Sequence, residues 1–226
     1  MKKIVTHSGN FHTDEVFSCA TLARLHDGAV EVVRSRDPEV WATGDFVVDV
    51  GGVYDAEAGR FDHHQAGGAG ARERNNIPFS SFGLVWKHFG EKLAGSAYAA
   101  KMIDERIAQP IYAGDNGIET FSMRGEVAPY LIQDAISSFR PEWNESRTED
   151  EGFFEAFEVA KKILSREIIR VQSEEEGIRH SEEAYQQSED KRIVVIDNHY
   201  PWYGALAAHT EPLFVVKPDR GGDGKW

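Results

Sequence analysis

The chain has 226 residues, 41% hydrophobic and 28% charged, with a formal net charge of −13 and a single cysteine. This is the composition of a globular protein with room for one large domain or two smaller ones. The acidic balance excludes a broad electrostatic grip on duplex nucleic acid, one cysteine excludes an internal disulfide or a thiolate-rich zinc cluster, and no run approaches the roughly 18 apolar residues of a membrane span. Met1 to Val5 enters the first strand directly and leaves no room for a signal peptide, so the expectation is a cytoplasmic protein.

In chain order, Lys3 to His7 reads as a strand, followed by a Ser-Gly-Asn loop. A helix is expected from about Thr13 to His26, with acids in its first turn and Gly28 beyond its end. Cys19 falls on the apolar pattern of that helix and reads as packing. Val30 to Arg34 is a second strand. Asp37-Pro38-Glu39 then supplies a cap, a first-turn proline and an acid for a short helix closed by Gly44. Phe46 to Val50 is a third strand, and Val53 to Asp55 and Arg60 to Asp62 flank a β-turn. Ala66 to Asn76, rich in Gly and Arg and without periodicity, reads as a mobile loop that either closes over phosphate through Arg72 and Arg74 or stays a disordered, solvated segment.

Helices are expected at Ser81 to Leu93 and Ser96 to Ala108, the second stopped by Pro110, with Asp115-Asn116-Gly117 in the turn beyond. Glu126 to Ser188 is mostly helical and acidic, with Phe153, Phe154, Phe157 and Ile163 at core spacing and Glu174 to Glu176 on a solvated face. Arg192 to Asp197 and Leu213 to Val216 are strands again. Tyr200, Trp202 and Tyr203 could stack on bases, although docking of the second domain is the favoured role. The fold class is therefore α/β: a mostly parallel sheet flanked by helices over 1–135, a helical connector over 136–190 and the start of a second α/β domain over 191–226.

The chemistry lies in a recurrence. His7, His12, Asp14, Asp49, Asp62-His63-His64 and Asp115 each follow an apolar run, at loops or helix starts. Ligands of open α/β sheets bind outside the C-terminal strand ends, where His7 and Asp49 fall. Nitrogen and oxygen donors converging from several segments suit a pair of divalent cations, and imidazoles bias the choice toward Mn²⁺ over Mg²⁺. His26, His88, His180, His199 and His209 lack such company and read as structural or surface residues.

Three segments carry a family resemblance: Thr6 to Glu15 (THSGNFHTDE), Val48 to Asp55 (VDVGGVYD) and Arg60 to Gln65 (RFDHHQ). They resemble the DHH phosphoesterases, and more narrowly the Myg exonuclease branch, to which Ser80 to Gly90, Asp115 to Ile118 and Phe139 to Glu145 are also similar. The resemblance implies two Mn²⁺ ions, with Mg²⁺ as the alternative, and an activated water or hydroxide attacking phosphorus. It implies Asp49 as bridging carboxylate, His7 and His12 on one ion, and Asp14, His63 and Asp115 on the other. Asp62 would orient a ligand histidine, and His64 would contact the phosphate. Many members of the superfamily carry an aspartate where this chain has His12. Relatives continue past the position of Trp226 into a Gly-rich substrate-holding segment, so a chain truncated there is expected to handle small phosphoesters better than long RNA.

The resulting expectation is a metal-dependent phosphodiesterase, a 3′-5′ exonuclease on RNA or short oligonucleotides. Its rivals are a small-substrate phosphohydrolase (a pyrophosphatase or dinucleotide phosphodiesterase) and a metal-binding interaction protein without turnover. No membrane partner is expected, and homo-oligomerisation stays open.

Overall fold

The computed structural model of the chain describes residues 1–122 and 125–221. It divides into two compact units, Met1–Ile168 and Ile169–Trp226. The first is an α/β unit around a five-stranded sheet in the order β2-β1-β3-β5-β4, where β1 is Lys2–Thr6, β2 Val30–Arg34, β3 Phe46–Val48, β4 Tyr54–Asp55 and β5 Arg60–Phe61. Neighbours are parallel from β2 through β5, and β4 closes the edge as the antiparallel half of a hairpin with β5.

The strand order reverses at β1. From β1 the chain crosses over helix α1 (Thr13–Leu25) to β2 on one side, then returns through α2 (Pro38–Trp41) to β3 on the other. The β1/β3 boundary is thus a topological switch point, and its C-terminal end opens into a crevice. His7 follows β1, Asp49 follows β3 and Asp62-His63-His64 follow β5, so three adjacent parallel strands deliver their next residues to one edge.

α1 has no solvated face. Thr13 through Ala23 are all buried, including Asp14, Glu15, Ser18 and Thr21, because the helix is enclosed by the sheet and by later helices. Cys19 is fully buried there, and burial pushes its thiol well above the usual range. α2 forms as its sequence dictates, with the Asp37 carboxylate accepting from the Glu39 amide at 2.9 Å and Pro38 in the first turn.

Several expectations need correction. The third strand ends at Val48, two residues early, because Asp49 takes a left-handed φ of 56°. Pro110 does not stop its helix. α3 (Ser81–Ala94) and α4 (Ala97–Ile103) are followed by a π-helical turn, Asp104–Ala108, and then directly by α5 (Gln109–Asp115), where Pro110 sits in the first turn. A proline there needs no intrahelical amide partner, so the chain stays helical to Asp115. Asp115 therefore ends α5 instead of lying in the turn after it. Helix α6 begins only at Ile132 and runs to Ser137. Phe154 is 42% exposed and Ile163 half-buried, whereas the core stripe of α7 (Glu149–Gln187) runs through Phe153, Ala156, Phe157, Ala160, Leu164, Ile168 and Val171.

The second unit pairs β6 (Ile193–Val195) with β7 (Phe214–Val216) in parallel, connected across α8 (Trp202–Leu206). Its core is small: Tyr185, Val194, Ile196 and Leu206, with Tyr200 and Trp202 packed against it. His209 stacks on Tyr185 at 4.0 Å and meets Glu182 at 2.8 Å, and His180 stacks on Tyr200 at 4.9 Å, so both histidines serve structure. No helix among the described residues is long and apolar enough to cross a membrane.

Candidate metal centre

Past β3, the Asp49 amide donates to the Phe61 carbonyl (3.1 Å) and the Ser81 hydroxyl (2.8 Å), and Ser81 in turn donates to Phe61. These bonds hold Asp49 in its left-handed conformation with the side chain in the crevice. Such backbone costs about 1–3 kcal/mol and persists where the surroundings over-determine it, typically at functional sites.

The two Asp49 oxygens face different ways. Oδ2 lies 3.4 Å from His7 Nε2, which is itself 3.1 Å from Glu15 Oε1. Oδ1 lies 3.3 Å from His63 Nε2, which is 3.2 Å from Asp115 Oδ2. Among the described residues, three groups gather donor atoms within metal-binding distance of one another: His7, His12, Glu15 and Asp49; Asp14, His63 and Asp115; and Asp49, Asp62, His63 and His64. Asp49 stands in the first and third groups and His63 in the last two.

Every residue singled out for metal binding is therefore brought into one region: His7, His12, Asp14, Asp49, His63 and Asp115. Glu15 was missed. It reads in sequence as a first-turn acid of α1, and it does accept the His12 amide at 2.7 Å, but the same carboxylate oxygen also faces His7. Asp14 has a second commitment, because its oxygens accept from Ser81 N and Phe82 N at 2.9 Å each and from the Ser80 hydroxyl, at the start of α3. Asp62 makes no hydrogen bond to the half-buried His63 ring. Its Oδ1 bonds His64 Nδ1 at 2.7 Å and the His63 amide at 2.7 Å, while Oδ2 accepts the Gly52 amide at 2.5 Å. Asp62 thus orients His64, whose side chain is 61% exposed, with Nδ1 occupied and Nε2 without a partner among the described residues.

Asp49 Oδ1, His63 Nε2 and Glu15 Oε2 are buried without a hydrogen-bond partner, although buried polar atoms nearly always have one. The electrostatics agree. Burial alone would lower the His7 imidazole, yet the Asp49 and Glu15 carboxylates push it up to about 10. His63 is pushed to about 10 in the same way by Asp115 and Asp49. Burial raises Asp14 and Glu15, with neighbouring carboxylates adding to it. Without a cation, protons on the imidazoles neutralise a crowd of carboxylates. An N/O donor set of this kind suits divalent cations.

Beside these groups opens a cleft of about 290 Å³, lined by Asp14, Asp49, His63, His64 and Asp115 and, from α6 and the turn after it, by Gln133, Ser137 and Arg140. The structure does not bring Arg72 and Arg74 to it. Arg72 is ion-paired with Asp104, and Arg74 with Glu105 at 3.2 Å, so the Gly-rich segment is tied to the π turn. An Ala71–Pro78 bridge closes that segment on itself.

An α/β fold with a cluster of potential metal ligands at its switch point defines the class. The MYG1_exonuc family model, an uncharacterised protein family (UPF0160) by its description, matches residues 3–226. The MYG1 protein C694.04c of Schizosaccharomyces pombe is 31% identical over 90% of this chain and 69% of its own length. The proteins named MYG1 exonuclease of Bos taurus and Homo sapiens are each 34% identical, over 71% and 74% of this chain and 48% and 49% of their own lengths. The chain spans about half the length of these mammalian relatives. It belongs to the MYG1 family. No solved structure is a significant match.

Proposed function

We propose that this unit is a metal-dependent phosphodiesterase of the DHH type, acting as a 3′-5′ exonuclease on RNA or short oligonucleotides with two Mn²⁺ ions. The observation that carries the reading is Asp49, whose two oxygens face two separate ligand groups around His7 and His63. The name exonuclease on the mammalian relatives supports the same reaction class. In this reading His7, His12 and Glu15 would hold one ion and Asp14, His63 and Asp115 the other, with Asp49 available to both. Bound there, the ions would lower the pKa of water and compensate charge on phosphoryl oxygens.

The remaining work falls to this chain's own groups. Asp62 fixes the His64 ring through Nδ1, so Nε2 is turned to donate to a phosphoryl oxygen as charge grows on it. Asp14 ties the metal-facing end of α1 to the start of α3, which limits the motion of its carboxylate. The Ser8–Gly9 turn is held by Arg36, which donates to the Ser8 carbonyl at 3.0 Å, and by Arg34 on the Gly9 carbonyl.

The test is the purified chain with Mn²⁺, given 5′-labelled RNA, DNA, a dinucleotide and pyrophosphate in parallel. A ladder shortening from the 3′ end is the expected result. Orthophosphate from pyrophosphate alone would move the assignment to a small-substrate phosphohydrolase, and tight metal binding without any product would leave a metal-binding interaction protein.

A further inference from the structure

Gln133, Ser137 and Arg140 are spaced four and three residues apart, so they share one helical face. The helical turn of α6 carries on to Arg140 through Phe139 N to Ile136 O and Arg140 N to Ser137 O, at 3.2 and 3.0 Å. All three line the cleft. Among the described residues, the other ionisable groups of that lining are carboxylates and imidazoles, and Arg140 is its sole guanidinium or ammonium. A phosphodiester is an anion and must approach Asp14, Asp49 and Asp115, so a fixed positive group on the facing substrate atoms is needed besides any metal ions.

Arg140 is built for this. Its Nε, at 2.7 Å, and its Nη2 both donate to the Phe11 carbonyl, and its guanidinium carbon lies 5.7 Å from the centre of the Phe11 ring. Two of the five guanidinium N–H groups are thereby used to hold the group still, and the other three have no partner among the described residues. The Gln133 amide nitrogen donates to the Pro110 carbonyl at 2.7 Å. The Ser137 hydroxyl is without a partner among the described residues. Arg72 and Arg74 differ in each respect, being neutralised by Asp104 and Glu105 away from the lining.

We propose that Arg140 is the phosphate-gripping residue of the cleft, donating two N–H groups to the non-bridging oxygens of a phosphodiester or nucleoside monophosphate, with Ser137 adding a hydroxyl. This rests on the phosphodiesterase reading. The decisive comparison is Arg140→Gln, which keeps an amide to donate to the Phe11 carbonyl and removes the charge, against Arg140→Lys, which keeps the charge. Binding of uridine monophosphate to the Mn²⁺-loaded chain is measured by calorimetry, together with Mn²⁺ stoichiometry and the thermal midpoint.

Arg140→Gln should weaken uridine monophosphate by roughly 10- to 100-fold, as for loss of a charge-assisted hydrogen bond pair, with two Mn²⁺ and the midpoint retained. Arg140→Lys should recover part of the affinity. Unchanged nucleotide affinity in Arg140→Gln overturns the proposal, and so does loss of Mn²⁺ together with affinity, which would make Arg140 a support for the Phe11 to His12 loop. Binding of the nucleotide by a wild-type chain that cleaves no phosphodiester would sink the functional reading and leave the role of Arg140 standing.

Discussion

A carboxylate on a left-handed backbone has few substitutes. At φ 56°, Asp49 occupies a region that Asn and Gly enter readily and most other residues do not. Asp49→Asn should therefore keep the fold and lose both metal binding and turnover, because the neutral amide no longer offers an anionic oxygen to each group. Asp49→Ala should lose the same functions and also about 1 kcal/mol of stability. Thermal midpoints and metal content of the two variants check this, and equal midpoints would mean that the backbone at 49 relaxes. The same cluster predicts a pH dependence. His7 and His63 titrate at about 10 in the folded metal-free protein, against an unfolded value of about 6.5. A raised pKa contributes stability that is complete below about pH 6.5 and is lost as pH rises through about 10. The metal-free chain should thus weaken between those limits, while divalent cations, competing with the same protons, should raise the thermal midpoint more at about pH 8.5 than at about pH 6.5. A metal-induced shift that is equal at both values would contradict the assignment of His7 and His63 as ligands.

At the level of elements, the gathering of candidate ligands at the strand ends was legible because His7, Asp49 and Asp62-His63-His64 follow short apolar runs, and the parallel order of an α/β sheet then aligns their ends. Glu15 and Arg140 were not legible as site residues. The first looks like any acid in a first helical turn, and the second owes its place to a carbonyl 129 residues away. Arg72 and Arg74 looked available in sequence, since nothing local announces Asp104 and Glu105 as their partners. The helical break at Pro110 was misjudged because a π turn is invisible to composition. Gly152 shows how tightly one element meets another. A Cβ there would fall 2.3 Å from the Phe139 carbonyl and 3.3 Å from the Phe11 ring, next to the residues that hold Arg140. Gly152→Ala should cost about 1–3 kcal/mol, the usual range for overpacking against backbone. Denaturant titration measures it, and an unchanged midpoint would mean that the first turn of α7 does not press on that carbonyl.

Across the whole molecule, stability is unevenly distributed. The first unit encloses α1 completely and buries large side chains such as Phe11, Phe17, Phe61, Phe82, Tyr112 and Phe153, whereas the second closes on Tyr185, Val194, Ile196 and Leu206. Less buried apolar area means a lower opening free energy. Native-state hydrogen exchange should accordingly find the amides of β6 and β7 exchanging well before those of β1 and β3. Equal protection in both sets would show that the two units open together.

The burial of Cys19 has a practical consequence. With its thiol enclosed on α1 and shifted away from the reactive thiolate, the native chain offers a silent background for thiol chemistry, and a maleimide should find nothing until the protein unfolds. A cysteine placed at Tyr203, whose side chain is 73% exposed, would then be the single reactive handle on the second unit. Paired with another at the exposed Glu57 on the β4–β5 hairpin of the first unit, it would carry a dye or spin label at a chosen site on each unit for measurements in solution.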